Sequence, residues 1–178
     1  MKTIVVYYSN KGSNRYLAHK ISDSLSCDIE EIRPRLNVFL LFLMSINFGI
    51  RPLKHNIQAY DKLILCGPIW MGKLIPPIRS FLQKYGEGIP RLVFVSCCGS
   101  SDAKKDEKFG HGFVFKEVEK IMGDRCVHCR AFPIDLVLPD DKKENGDLIM
   151  KTRLSEATFT REIQERLENF MVQINVVS

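Results

Sequence analysis

Five short strand-like runs, each followed by a stretch of helical periodicity, constrain this chain more than any other feature. Residues 3–8, 62–66, 92–95 and 127–134 read as strands, and residues 28–32 alternate polar and apolar as a more exposed one. Between them, Leu17, Ala18, Ile21 and Leu25 fall on one helical face. Ile78, Phe81 and Leu82 do the same behind Pro76-Pro77, where proline's missing N–H costs a helix nothing. Residues 113–122 read as a further helix. Ile163, Leu167, Phe170, Met171 and Ile174 form the stripe of a last one, over residues 158–174. Such alternation calls for a parallel sheet with helices on both faces. At 178 residues the chain suffices for one domain with a sizeable core, so a single domain over 1–178 is expected.

Residues 35–59 are less regular. Leu36, Val38 to Met44, Ile46 and Phe48 predict a helix ending near Gly49, then an irregular link. Core is the default place for this apolar segment. A dimer contact, or a hydrophobic lid over a quinone-like substrate, are the alternatives. Its longest apolar window, 38–48, falls far short of the about 20 residues a membrane span needs, so no membrane span is expected. The first eight residues lack the pattern of a secretory signal, and the six cysteines have no small-secreted-domain spacing. A cytoplasmic protein with reduced thiols is the expectation. The formal charge of +5 comes from scattered basic residues rather than a stripe, which disfavours nucleic acid. Apolar residues at 45% and charged residues at 26% match a folded globular chain, so long disorder is not expected.

Two loops carry the chemistry. Residues 9–15 join a buried strand to a helix, which puts free N–H groups and the positive end of a helix dipole at one point, a natural phosphate site. Ser9, Ser13 and Asn14 add donors, Gly12 allows close approach, and Lys11 and Arg15 add charge. The same loop also reads as a plain turn whose Ser13 or Asn14 caps the helix. It has neither the dinucleotide nor the Walker pattern. Residues 67–73 place Trp70, the chain's one tryptophan, at the carboxyl end of a central strand, where open α/β sheets bind ligands. Trp70 suits stacking on an aromatic ligand. Alternatively it packs onto the sheet or onto residues 36–48.

The stretch 60–82, YDKLILCGPIWMGKLIPPIRSFL, resembles the signature of the flavodoxin family around its second flavin loop. Residues 4–15 sit where that family has its phosphate loop, and 96–101 where it has its third loop. The resemblance implies a three-layer α/β fold, with a five-stranded parallel sheet in order 2-1-3-4-5 and helices on both faces, holding FMN non-covalently. By position, Ser9, Lys11, Gly12, Ser13 and Asn14 would hold the phosphate. Pro68, Ile69, Trp70, Met71 and Gly72 would line the isoalloxazine, and Cys97, Cys98 and Gly99 would flank its other edge. Lys11 and Asn14 stand where the family usually has threonine, and Asn14 would donate through its amide. Such a protein passes electrons to a redox partner protein or a small acceptor such as a quinone. The alternatives are an FMN-dependent NAD(P)H:quinone-type reductase and a flavin-free binding module of the same fold. No nucleophile–His–acid set is legible.

Cys126 and Cys129 have half-zinc-site spacing. Cys97-Cys98 follow a strand while Cys126 precedes one, so in a parallel sheet the two pairs lie roughly 17 Å apart, which disfavours a metal. In a regular strand Cys126 and Cys129 also point to opposite faces. His111, between two glycines, reads as an exposed loop residue, with a proton donor to the crevice as the sharper alternative.

Overall fold

The computed structural model describes residues 1–44 and 48–176. Among these, five parallel strands form one sheet: β1 (Thr3–Tyr7), β2 (Asp28–Glu31), β3 (Lys62–Cys66), β6 (Leu92–Cys98) and β7 (Cys126–Pro133), in the order β2-β1-β3-β6-β7. Counted along the main sheet alone, this is the expected 2-1-3-4-5. A separate antiparallel hairpin pairs β4 (Ile69–Trp70) with β5 (Lys73–Leu74).

Period-2 alternation sorts the strand side chains into two cores. Ile4, Val6, Leu63, Leu65, Leu92 and Phe94 face one side, with α3 (Pro76–Tyr85) and α4 (His111–Met122). Val5, Tyr7, Ile64, Val93 and Val95 face the other, with α1 (Ser13–Leu25) and α6 (Arg161–Val176). The expected amphipathic stripes, Leu17/Ala18/Ile21 and Ile163/Leu167/Phe170/Ile174, are the ones buried. Each fully buried aliphatic side chain contributes about 1.5–3 kcal/mol by leaving water.

Three elements differ from the sequence reading. The apolar segment after β2 forms only a six-residue helix, α2 (Val38–Leu43), capped by the Asn37 carboxamide accepting from Phe39 and Leu40 N–H. Ser45, Ile46 and Asn47, within the helix expected to reach Gly49, lie outside the described residues. This segment is not mainly core. Val38 and Leu41 are buried, but Phe39, Leu40 and Leu43 are 62%, 54% and 63% exposed. Six residues make fewer than two turns, too few to bury more than one narrow edge of so uniformly apolar a sequence.

The expected strand 92–95 runs on to Cys98, because β7 pairs with it as far as Cys98–Pro133. Finally, α5 (Gly146–Lys151) starts within the expected charged loop 139–147. After α2 the chain is tied back to β2 by Glu30, whose carboxylate accepts from Lys54 N–H at 2.5 Å, His55 N–H at 2.8 Å and the His55 ring at 2.7 Å. Burial opposes ionisation of Glu30, but these bonds hold its carboxyl below the usual range.

Candidate functional site

The loops after β1, β3 and β6 meet at the carboxyl edge of the sheet, as the topology requires. In the first loop, Gly12 takes φ +99°, open to glycine at no cost, and starts α1. Its N–H donates to Ser9 Oγ at 3.1 Å. The N–H groups of Lys11, Ser13, Asn14 and Arg15 find no acceptor among the described residues. The first turn of α1 has no acidic residue, so the dipole end stays positive, with Lys11 and Arg15 exposed beside it.

Asn14 does something other than the sequence suggested. Its side chain is buried and clamps the backbone of Cys97. Oδ1 accepts from Cys97 N–H at 2.8 Å, and Nδ2 donates to Cys97 C=O at 3.0 Å. The amide is therefore a strap between the first loop and β6. Ser13 Oγ accepts from Leu154 N–H at 3.1 Å, and its hydroxyl also bonds to the Cys97 thiol.

The second loop is the β4–β5 hairpin. Met71 and Gly72 at its tip both have positive φ, 50° and 66°, the turn geometry that matches strand twist. A side chain on Gly72 would strike Lys108 C=O, so this tip packs against the polar loop 102–110. Trp70 is half-buried and sits edge-to-face with Phe42 of α2, centroids 5.4 Å apart. Packing onto the 36–48 segment, the alternative raised by the sequence, is thus observed. It fixes the indole at the mouth of the edge.

The third loop corrects the place given to its cysteines. Cys97 and Cys98 lie inside β6 with buried side chains. Burial pushes the Cys98 thiol up to about 12 and raises Cys97 as well, which favours the protonated thiol at both. Gly99 is the first exposed residue, with Ile149 of α5 beside it. His111 is buried rather than exposed. Its Nδ1 lies 2.9 Å from Ser100 Oγ, and its Nε2 lies 3.8 Å from Asp102 Oδ1. The carboxylate favours a proton on Nε2, so Nδ1 accepts from the Ser100 hydroxyl. Asp102 itself is held by a bidentate bond from Arg166 at 2.7 and 2.9 Å.

Burial lowers the His111 pKa below its ordinary 6.5, keeping the ring neutral. As pH falls below about 6.5 the unfolded chain takes a proton that the native ring resists, so stability drops in that window. We expect unfolding midpoints at pH 7.5 and 5.5 to differ less in His111→Asn than in the wild type. An unchanged difference would remove His111 from this account.

Sequence reasoning missed the strap after β7. The Leu154 bond to Ser13, a Tyr16 hydroxyl bond to Glu156 at 2.6 Å and a Lys20–Glu156 ion pair at 3.1 Å pin residues 154–156 to the first turns of α1, directly behind the first loop. Arg153 brings positive charge to the same side, near Cys97. The available signal was Asn145, an N-cap whose carboxamide accepts from Leu148 N–H.

Surface cavities of about 410 and 600 Å³ lie elsewhere, at the amino end of β1 and β3 and beside α1 and α6. The unpaired loop N–H groups, not cavity volume, locate the site.

No family model and no curated protein matches the chain. Solved structures do. A flavoprotein from Lactobacillus acidophilus NCFM in complex with FMN matches with TM-score 0.59 at 16% identity, over 73% of this chain and 92% of that one. A candidate flavoprotein from Bacteroides eggerthii matches with TM-score 0.60 at 20% identity, over 84% and 96%. Another from Bacteroides uniformis gives 0.57 at 21%, over 74% and 90%. The fold is flavodoxin-like. Among the described residues, no helix is long and apolar enough to cross a membrane.

Proposed function

We propose that this flavodoxin-like protein binds FMN non-covalently at the carboxyl edge and serves as a redox protein. The observation that carries the reading is the set of unpaired N–H groups around Gly12, at the loop where a flavodoxin-like fold receives a phosphate. The residues present fit a phosphate monoester. Ser9, Lys11, Gly12, Ser13 and the Asn14 backbone form its cradle. Pro68, Ile69, Trp70, Met71 and Gly72 line one side of the ring, and the backbone at Gly99 borders the other. The Ser100–His111 pair provides a neutral, polar edge able to hold a proton at His111 Nε2. When bound, FMN supplies one- and two-electron transfer, and the protein contributes anchoring, orientation and electrostatics.

The acceptor is a redox partner protein or a small molecule. One observation favours a reductase acting on a quinone: exposed Phe39, Leu40 and Leu43 on the helix whose Phe42 touches Trp70, an apolar patch beside the ring site. The experiment is an absorbance spectrum before and after FMN addition and desalting, followed by NAD(P)H addition. Retained flavin absorbance is expected. A colourless protein after FMN exposure would support the flavin-free alternative. NAD(P)H oxidation with a quinone acceptor would select the reductase, and its absence the carrier.

A further inference from the structure

We propose that Cys126 and Cys129 form a reversible intramolecular disulfide by exchange with a small-molecule disulfide such as oxidised glutathione. Three residues apart in a regular strand, the two side chains would point to opposite faces. A bulge changes this. Along β6 the step from Leu92 to Val93 is matched on β7 by the two-residue step from Cys126 to His128. The extra residue shifts the parity, so Cys126 shares the face of Leu92 and Cys129 that of Phe94. Both cysteines pack on that one core, while Val127 packs on the opposite one and His128 stacks on Phe170 there. The two Sγ atoms are 3.6 Å apart as free thiols. Side-chain rotation alone must close that gap to the about 2.05 Å of a bond.

The pair stands at the outer edge of the sheet, partly open to solvent, unlike the buried Cys66, Cys97 and Cys98. A hydrogen bond from the Cys129 thiol favours the Cys126 thiolate, and the same bond with burial holds the proton on Cys129. Cys126 is therefore the attacking sulfur. Its thiolate displaces one glutathione thiolate, leaving a mixed disulfide on Cys126. Cys129 then loses its proton and attacks Cys126 Sγ, releasing the second glutathione. Two protein thiols are oxidised by two electrons, and one small disulfide is reduced to two thiols. The bridge staples the bulge and lies on the edge strand, three strand positions across the sheet from β1 and the loop that follows it, so it stands independently of the flavin reading.

The test uses the chain's own cleavage sites. Trypsin cuts after Arg125 and Arg130 and releases residues 126–130 as one peptide. Reduced native protein is incubated with oxidised glutathione, alkylated, digested and weighed. The expected peptide lacks two hydrogens, carries no alkyl group and regains two alkylatable thiols after reduction. Cys27, Cys66, Cys97 and Cys98 stay reduced. Cys129→Ser should trap glutathione on Cys126, whereas Cys126→Ser should leave Cys129 free. The proposal is overturned by two alkylated thiols in the wild-type peptide, or by glutathione on both cysteines. The wild-type measurement stands whether or not the variants fold.

Discussion

Replacing Asn14 by alanine is expected to destabilise the fold by about 2–5 kcal/mol, because it strands two buried backbone groups of Cys97 at once. Asn14 is almost fully buried at the start of α1, and its carboxamide supplies both the acceptor for Cys97 N–H and the donor for Cys97 C=O. Water cannot replace it in so closed a place. Asn14→Asp keeps the acceptor and loses the donor, so it should fall between wild type and alanine. Urea unfolding of the three proteins checks the ordering. A loss under about 0.5 kcal/mol in the alanine variant, the size of an ordinary surface change, would mean the strap does not hold the loops together.

The second large effect concerns Trp70. Removing its side chain should weaken FMN binding about 10–100-fold, the range set by stacking a flat ring on an indole. The Phe42 contact fixes the indole before the ligand arrives, so little ordering cost opposes that stacking. Trp70→Phe should recover part of the loss. Fluorescence titration of FMN measures both variants. Unchanged affinity in Trp70→Ala would make the tryptophan a packing residue only, the alternative its sequence context already allowed.

What the sequence revealed and what it hid divide along a physical line. The two-faced core and the positions of α1, α3, α4 and α6 follow from period-2 and period-3.6 apolar patterns, which burial enforces over many residues at once, whereas the sheet order came from the resemblance carried by residues 60–82. The strand-to-helix turn around Gly12 was equally legible, because glycine among polar residues between two apolar patterns marks a turn; its positive φ was not read. The failures arise where one long-range contact overrides local pattern. Asn14 looked like a ligand donor because nothing local says that Cys97, far along the chain, lies in reach. Cys97 and Cys98 looked like loop residues because strand length is set by pairing with β7. His111 looked exposed because flanking glycines gave no hint of Ser100 and Phe115 around it. Cys126 and Cys129 looked opposed because a bulge leaves no mark in the sequence. The 38–48 segment looked like core because composition alone does not count helical turns.

The central claim is that the Gly12 loop holds the phosphate of FMN. Parallel titration of the flavin-free protein with FMN and with riboflavin, which differ by that phosphate alone, tests it most directly. Several charge-assisted bonds from loop N–H groups should separate the two by at least about 100-fold, equivalent to roughly 2.7 kcal/mol. Equal affinities, or no binding of either flavin, would contradict the account.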